Sequence, residues 1–147
     1  MKNDNIIYLY CDGACRGNPG PGGWGVLLRY NDHEYQFYNG VFNTTNNQME
    51  LTAAIEGLRS LRHSSHIIAT TDSRYLYLGI TKWLSAWKER KWKTCQGKPI
   101  KNRTLWESLE KETKRHKVYW KWVKGHSGHL ENEIADRLAN QGINELR

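Results

Sequence analysis

An α/β fold is what this sequence predicts: a mixed sheet with helices packed on it. Three observations lead there. Residues 6–42 hold three strand-like runs separated only by turn signals. From residue 45 onward, apolar residues recur at helical intervals. Two further short apolar runs, at 67–71 and 118–123, interrupt those helical segments.

Taken in order, Ile6 to Tyr10 reads as the first strand, ending at Asp12-Gly13. Gly17-Asn18-Pro19-Gly20-Pro21-Gly22-Gly23 reads as a turn, because its two prolines and four glycines propagate neither helix nor ladder. Trp24 to Tyr30 and Glu34 to Phe42 follow as strands, joined by a hairpin turn at Asn31-Asp32-His33. Thr45 and Gln48 then have capping-box spacing, and Leu51, Ile55 and Leu58 carry a helix to about Arg62. Ile67 to Thr71 is a fourth strand, ending at Asp72. Leu76, Ile80, Trp83 and Trp87 have helical spacing with a split near Gly79, and residues 88–103 read as irregular. A helix from Leu105 to about Lys114, a strand from Val118 to Val123 and a helix from Glu131 to Ile143 complete the order β-β-β-α-β-α-α-β-α.

A chain of 147 residues fits one domain, 1–147, with a sizeable core. Met1 to Asn5 is polar and the apolar run after it breaks at Asp12, which argues against a signal peptide. No apolar run is long enough for a membrane span. Cys11, Cys15 and Cys95 cannot all pair, and they read as reduced thiols of a cytoplasmic protein. The 22 Lys+Arg exceed the 15 Asp+Glu, for a net charge of +7. That surplus favours a polyanion as partner, nucleic acid first. Eight of the cations fall in residues 82–103 against one acid, Glu89, with Trp83, Trp87 and Trp92 interleaved.

Two strands end in an acid, Asp12 and Asp72, and the crevice outside the carboxyl ends of strands is where α/β sheets bind ligands. With Leu51 at 0° on its helical wheel, Glu50 falls at about −100°, on the flank of the buried stripe and in the first turn. Asp136 lies about 20° beyond the apolar arc of Ile134, Ala135, Leu138, Ala139 and Ile143. Each acid alone has a structural explanation as a turn or helix-terminus residue. Clustered, the four repel and raise one another's pKa unless a cation neutralises them, and oxygen-only ligands suit Mg²⁺ or Mn²⁺. Other signals fail on context. Gly20, Gly22 and Gly25 have dinucleotide-loop spacing but precede a strand, and Cys11, Cys15, His126 and His129 lack the paired spacing of a zinc site.

An ordered series of motifs then resembles bacterial ribonuclease H type 1 over nearly the whole chain. It comprises Tyr10-Cys11-Asp12-Gly13, the Gly-Asn-Pro-Gly-Pro-Gly-Gly run, Thr44-Thr45-Asn46-Asn47 with Met49-Glu50-Leu51, and Thr71-Asp72-Ser73. Trp92-Lys93-Thr94, Trp122 to His129, Glu131-Asn132-Glu133 and Ala135-Asp136 complete it. The resemblance implies a ribonuclease H-like fold, with three antiparallel strands followed by two parallel ones. It implies an endonuclease that cuts the RNA strand of RNA–DNA hybrids, acting as a monomer. Asp12, Glu50, Asp72 and Asp136 would coordinate two Mg²⁺ ions (Mn²⁺ substituting), with Asp12 bridging both. One ion would lower the pKa of the attacking water and the other would stabilise the leaving 3′ oxygen, giving 5′-phosphate and 3′-hydroxyl ends. His126, between glycines, would shuttle a proton.

The same resemblance assigns the substrate contacts. Asn46 and Asn47, with the backbone around Gly13 and Cys15, would read the RNA strand, and Asn18 and Thr45 would form a DNA-phosphate pocket; Gln48, a hydrogen-bonding group beside Glu50, is read from its position as a further substrate contact. Residues 82–103 resemble the family's basic protrusion, in which Lys88, Lys93, Lys98 and Lys101 would hold DNA phosphates. Trp83 and Trp106 would line a channel for the deoxyribose backbone. Gln48 stands where bacterial relatives carry Arg, and Arg74 where they carry Gln. Two rival functions remain at this stage: a DNA nuclease of the same fold, and a hybrid-binding module without catalysis.

Overall fold

Strand β1 (Ile6–Cys15) runs antiparallel to β2 (Gly20–Tyr30), and β2 antiparallel to β3 (His33–Thr44). On its other side β1 pairs in parallel with β4 (His66–Thr71), which pairs in parallel with β5 (Lys117–Trp122). The sheet order is β3-β2-β1-β4-β5. This computed structural model describes residues 5–125 and 128–147. The mixed sheet is the one the sequence predicts.

Helix α1 (Asn46–Arg59) covers β1 and β2 on one face of the sheet, and α4 (Arg103–Arg115) packs on α1. Helix α5 (Leu130–Asn144) covers β2, β3 and β1 on the other face. Between β4 and α4 lie two short helices, α2 (Arg74–Leu78) and α3 (Leu84–Glu89), joined by one π-helical turn over Gly79–Trp83. The split that the sequence suggests near Gly79 is this turn. It has a packing cause: a Cβ on Gly79 would lie 2.0 Å from a ring carbon of the buried Trp106. The core fills the space between the sheet and α1 and α4, around Leu9, Val26, Leu51, Leu58, Leu76 and Leu109.

Two boundaries differ from expectation, for one reason. β1 continues past Asp12 to Cys15, and β2 begins at Gly20, inside the run read as a turn. The turn is confined to residues 16–19, and the glycines beyond it are strand residues. A Cβ on Gly23 or Gly25 would sit 2.1 Å from the Ala139 carbonyl or 2.6 Å from that of Ala135. These glycines let α5 lie directly on β2. Pro21 falls where the β2–β3 register shifts, between Gly20 and Gly22, a position at which a strand tolerates proline.

Thr45 caps α1, its hydroxyl accepting from the Gln48 backbone N–H at 3.2 Å. Among the described residues no helix is long and apolar enough to cross a membrane.

Candidate active site

The parallel ladder of β1 and β4 last pairs Tyr10 with Thr70. Two residues further along each chain stand Asp12 and Asp72, so strand periodicity points both side chains to the same face. Asp12 remains laddered to Gly25 of β2, whose missing Cβ faces α5. Both aspartates therefore look toward the helix that carries Asp136. Glu50 arrives from the opposite face, in the second turn of α1, and its carboxylate accepts a hydrogen bond from the Gly13 backbone N–H at 3.0 Å. One carboxylate oxygen from each of Asp12, Glu50 and Asp72 lies within 4.8 Å of the others.

Burial makes this cluster costly. Asp12 is 3 % exposed and Glu50 5 %. Desolvation, then Glu50 and Asp72, then a hydrogen bond with Asp136 all push the Asp12 carboxyl far above the usual carboxylate range. Burial and Asp72 push Glu50 up too, while hydrogen bonds from Asp12 and Gly13 favour its charged form. The charged forms of Asp12 and Glu50 are thus both disfavoured in the absence of a neutralising cation. Beside Asp12, the buried Cys11 thiol is held neutral by desolvation first and by the acids second.

The outer acids are oriented by amides. Asn132 Nδ2 donates to Asp72 Oδ2 at 3.2 Å, and Trp122 Nε1 donates to the Asp72 carbonyl at 3.1 Å. Asn140 Nδ2 donates to the Asp136 carbonyl at 3.0 Å. Asn132 Oδ1 is buried with no hydrogen-bond partner in this structure. A buried set of mutually destabilised carboxylates with an orphaned amide oxygen beside it fits a hard divalent cation, which prefers oxygen ligands and neutralises their charge.

Several expectations change on contact with the structure. Glu50 lies in the second turn rather than the first, and it is buried rather than at the flank of the buried stripe. The start of α1 lies directly against the end of β1, where a Cβ on Gly13 would sit 2.5 Å from the Glu50 backbone nitrogen, so the buried face takes in Met49, Glu50 and Leu51 together. Trp106 is fully buried, clasped under Gly79 with its Nε1 donating to the Tyr75 hydroxyl, and cannot line a substrate channel. Trp83 is 38 % exposed. Lys88 is paired with Glu110, while Lys93, Lys98 and Lys101 are exposed. His126, with Ser127, lies outside the described residues.

Asn18, Thr45, Asn46, Asn47 and Gln48 come together with Lys101 and Asn102 around a cleft of about 490 Å³. Asn18 Oδ1 accepts from the Asn46 N–H at 2.8 Å, fixing the loop to the start of α1. The Gly13 N–H is taken by Glu50, and the half-buried Cys15 thiol donates to the Thr44 carbonyl at 3.3 Å. Asn132 and Asn102 are site residues that the sequence reading did not single out. Asn132 sits inside a quoted motif between two acids. Asn102, with φ 62°, precedes the first turn of α4, where asparagine is a recognisable helix-start residue.

A mixed sheet whose strand ends gather buried carboxylates able to hold a divalent cation, beside an arm of exposed lysines, defines a nuclease of the α/β class. The RNase H family model matches residues 4–144. A curated Ribonuclease H from Coxiella burnetii (strain Dugway 5J108-111) is 68% identical over 145 residues, covering 99% of this chain and 94% of that protein. One from Halorhodospira halophila is 56% identical over 141 residues, covering 96% and 95%. Among solved structures, LC9-RNase H1, described as a type 1 RNase H with the type 2 active-site motif, superposes with a TM-score of 0.87. It is 34% identical and covers 98% of this chain and 74% of that one. The chain belongs to the ribonuclease H family. It is an enzyme, a phosphodiester-cleaving hydrolase, and family and fold both support cleavage of the RNA strand of RNA–DNA hybrids.

Proposed function

We propose that this chain hydrolyses the RNA strand of RNA–DNA hybrids by in-line attack of water, with Asp12, Glu50, Asp72 and Asp136 holding two divalent cations. The observation that carries the reading is the convergence of two buried carboxylates, Asp12 and Glu50, and the partly buried Asp72 to within 4.8 Å of one another beside the ends of β1 and β4. Bound Mg²⁺, or Mn²⁺ in its place, supplies activation of the attacking water and neutralises charge at the leaving 3′ oxygen. The products are 5′-phosphate and 3′-hydroxyl ends.

The chain's own groups do the rest. Asp12, Glu50, Asp72 and Asp136 would hold the cations, whose charge would offset the repulsion that raises the Asp12 and Glu50 carboxyls. The Gly13 N–H and the Asn132 amide hold Glu50 and Asp72 in orientation, so little reorganisation accompanies the reaction. Asn46 and Asn47 offer side-chain amides to the 2′-hydroxyls that distinguish RNA from DNA. Asn18 and Thr45 face a DNA phosphate across the cleft, while Lys93, Lys98 and Lys101 hold the DNA strand by charge. His126 transfers a proton to the departing oxygen. The enzyme works as a cytoplasmic monomer on the hybrid duplex.

A hybrid labelled in each strand, incubated with and without Mg²⁺ beside DNA–DNA and RNA–RNA duplexes, tests this reading. Cutting confined to the RNA strand of the hybrid, and to reactions with metal, is the outcome the geometry supports. Equal cutting of DNA–DNA duplex would favour a DNA nuclease of the same fold. Tight binding with no cutting would favour a module without catalysis.

A further inference from the structure

One polar chain crosses the cleft at the start of α1, and both of its ends are buried. The hydroxyl of Thr44, 5 % exposed, donates to Gln48 Oε1 at 2.9 Å. Gln48 Nε2 donates to Asn102 Oδ1 at 3.2 Å, and Asn102 Nδ2 donates to the Tyr75 hydroxyl at 3.1 Å. That hydroxyl also accepts from Nε1 of the fully buried Trp106, at 3.1 Å. Each of the two amides has its oxygen and its nitrogen engaged, and the Thr44 and Tyr75 hydroxyls, each able to donate or accept, complete the chain. The residues it links are 54 positions apart in sequence. On one side is the helix start bearing Asn46 and Asn47. On the other is Lys101-Asn102, the root by which the basic segment rejoins the fold at α4.

We propose that Gln48 is a positioning residue: its amide pins Asn102 and thereby sets the spacing between the RNA-reading helix start and the DNA-holding basic segment. This rests on the hybrid-cleaving reading given above. The side-chain chemistry favours a relay over a direct substrate contact. The carboxamide's oxygen and nitrogen each already have a protein partner, and an amide can accept at one end while donating at the other. An arginine at 48, being all donors, could not accept from the Thr44 hydroxyl. Asn102 is suited to its end of the link because asparagine tolerates the left-handed backbone it adopts, φ 62° and ψ 29°.

The test is a double-mutant cycle on Gln48→Leu and Asn102→Gly, the glycine keeping the left-handed backbone while removing the amide. Hybrid cleavage is read as KM and kcat separately, and amide hydrogen exchange at residues 98–103 is measured without substrate. Each single variant is expected to raise KM about fivefold, the worth of one neutral hydrogen bond, with kcat nearly unchanged. The double variant should match Asn102→Gly rather than multiply the two effects, and Gln48→Leu should speed exchange at 98–103. Multiplying effects would make Gln48 an independent substrate contact and overturn the relay. So would unchanged exchange at 98–103 in a folded Gln48→Leu protein. Exchange needs no substrate, so it reports on the tether even if the wild type fails to cut hybrid, a failure that would fall on the functional reading instead.

Discussion

Asp12 concentrates the energetic tension of the site. Its carboxyl is raised because desolvation and three other acids all disfavour its charged form. Replacing it with asparagine removes a titratable buried carboxyl, and with it the cost of desolvating or protonating that group, while keeping the side chain's size. Asp12→Asn should lower hybrid cleavage by about 10³-fold or more, since a cation ligand is lost. It should also raise the melting temperature of the metal-free protein by about 3–8 °C, as relieving ~1–2 kcal/mol of that cost gives in a chain of this size. Thermal melts in EDTA beside initial rates in Mg²⁺ check both. A variant that is inactive but less stable than wild type would mean that Asp12 serves the fold instead. At this scale Asp12 and Asp72 were legible from sequence because each follows an apolar strand run. Asn132 was not, because an amide between two acids on a helix looks solvated until α5 is seen against β1.

At the scale of elements, the basic segment from Lys82 to Arg103 divides into parts with different work. Trp92 is buried against Trp87, and Arg103 lies over the Trp92 ring at 5.2 Å, so aromatic packing anchors the arm. Lys88 is tied to Glu110, while Lys93, Lys98 and Lys101 reach solvent. Replacing the latter three with alanine should raise KM far more than it lowers kcat. It should also flatten the dependence of log KM on log salt by roughly 2–3, one phosphate per lysine, whereas Lys88→Ala should change that slope little. Salt series on the two variants decide it: a triple variant with the wild-type slope would remove the arm from binding. The charge density of this arm was legible in sequence; which cations are free was not, because Glu110 lies on a helix that folds back to Lys88. Helix α1 teaches the same lesson. Its periodicity located the face against the sheet, but it is the close approach of Gly13 in β1 to the Glu50 backbone that buries the acid, and only tertiary packing shows that approach. The glycines of β2 misled in the other direction. Their composition signals a turn, while their use is to admit α5.

For the whole molecule, the acid cluster couples folding to pH and metal. The raised carboxyls of Asp12 and Glu50 contribute stability that is fully present below the unfolded carboxylate range, about pH 4, and is lost as pH rises toward their folded values. Between pH 5.5 and 8.5 the melting temperature of metal-free wild type should therefore fall relative to that of Asp12→Asn. The stabilisation given by saturating Mg²⁺ should grow with pH over the same window, because cation and proton compete. Parallel pH profiles for the two proteins would show that the cluster does not govern this response. The order of elements and a mixed sheet were readable from pattern, because strands and helices here keep to their periods, while the three antiparallel and two parallel strands came from the family resemblance. What pattern could not supply is register. It is the pairing of Tyr10 with Thr70 that carries the two aspartates to a common face.

Calorimetric titration with Mn²⁺ near pH 7, run in two buffers of different ionisation enthalpy, asks most directly whether the buried carboxylates are a cation site. Wild type should bind with net release of protons, and Asp12→Asn should bind at least about tenfold more weakly and release fewer. Equal affinity in the two proteins, with no proton released by wild type, would contradict the account.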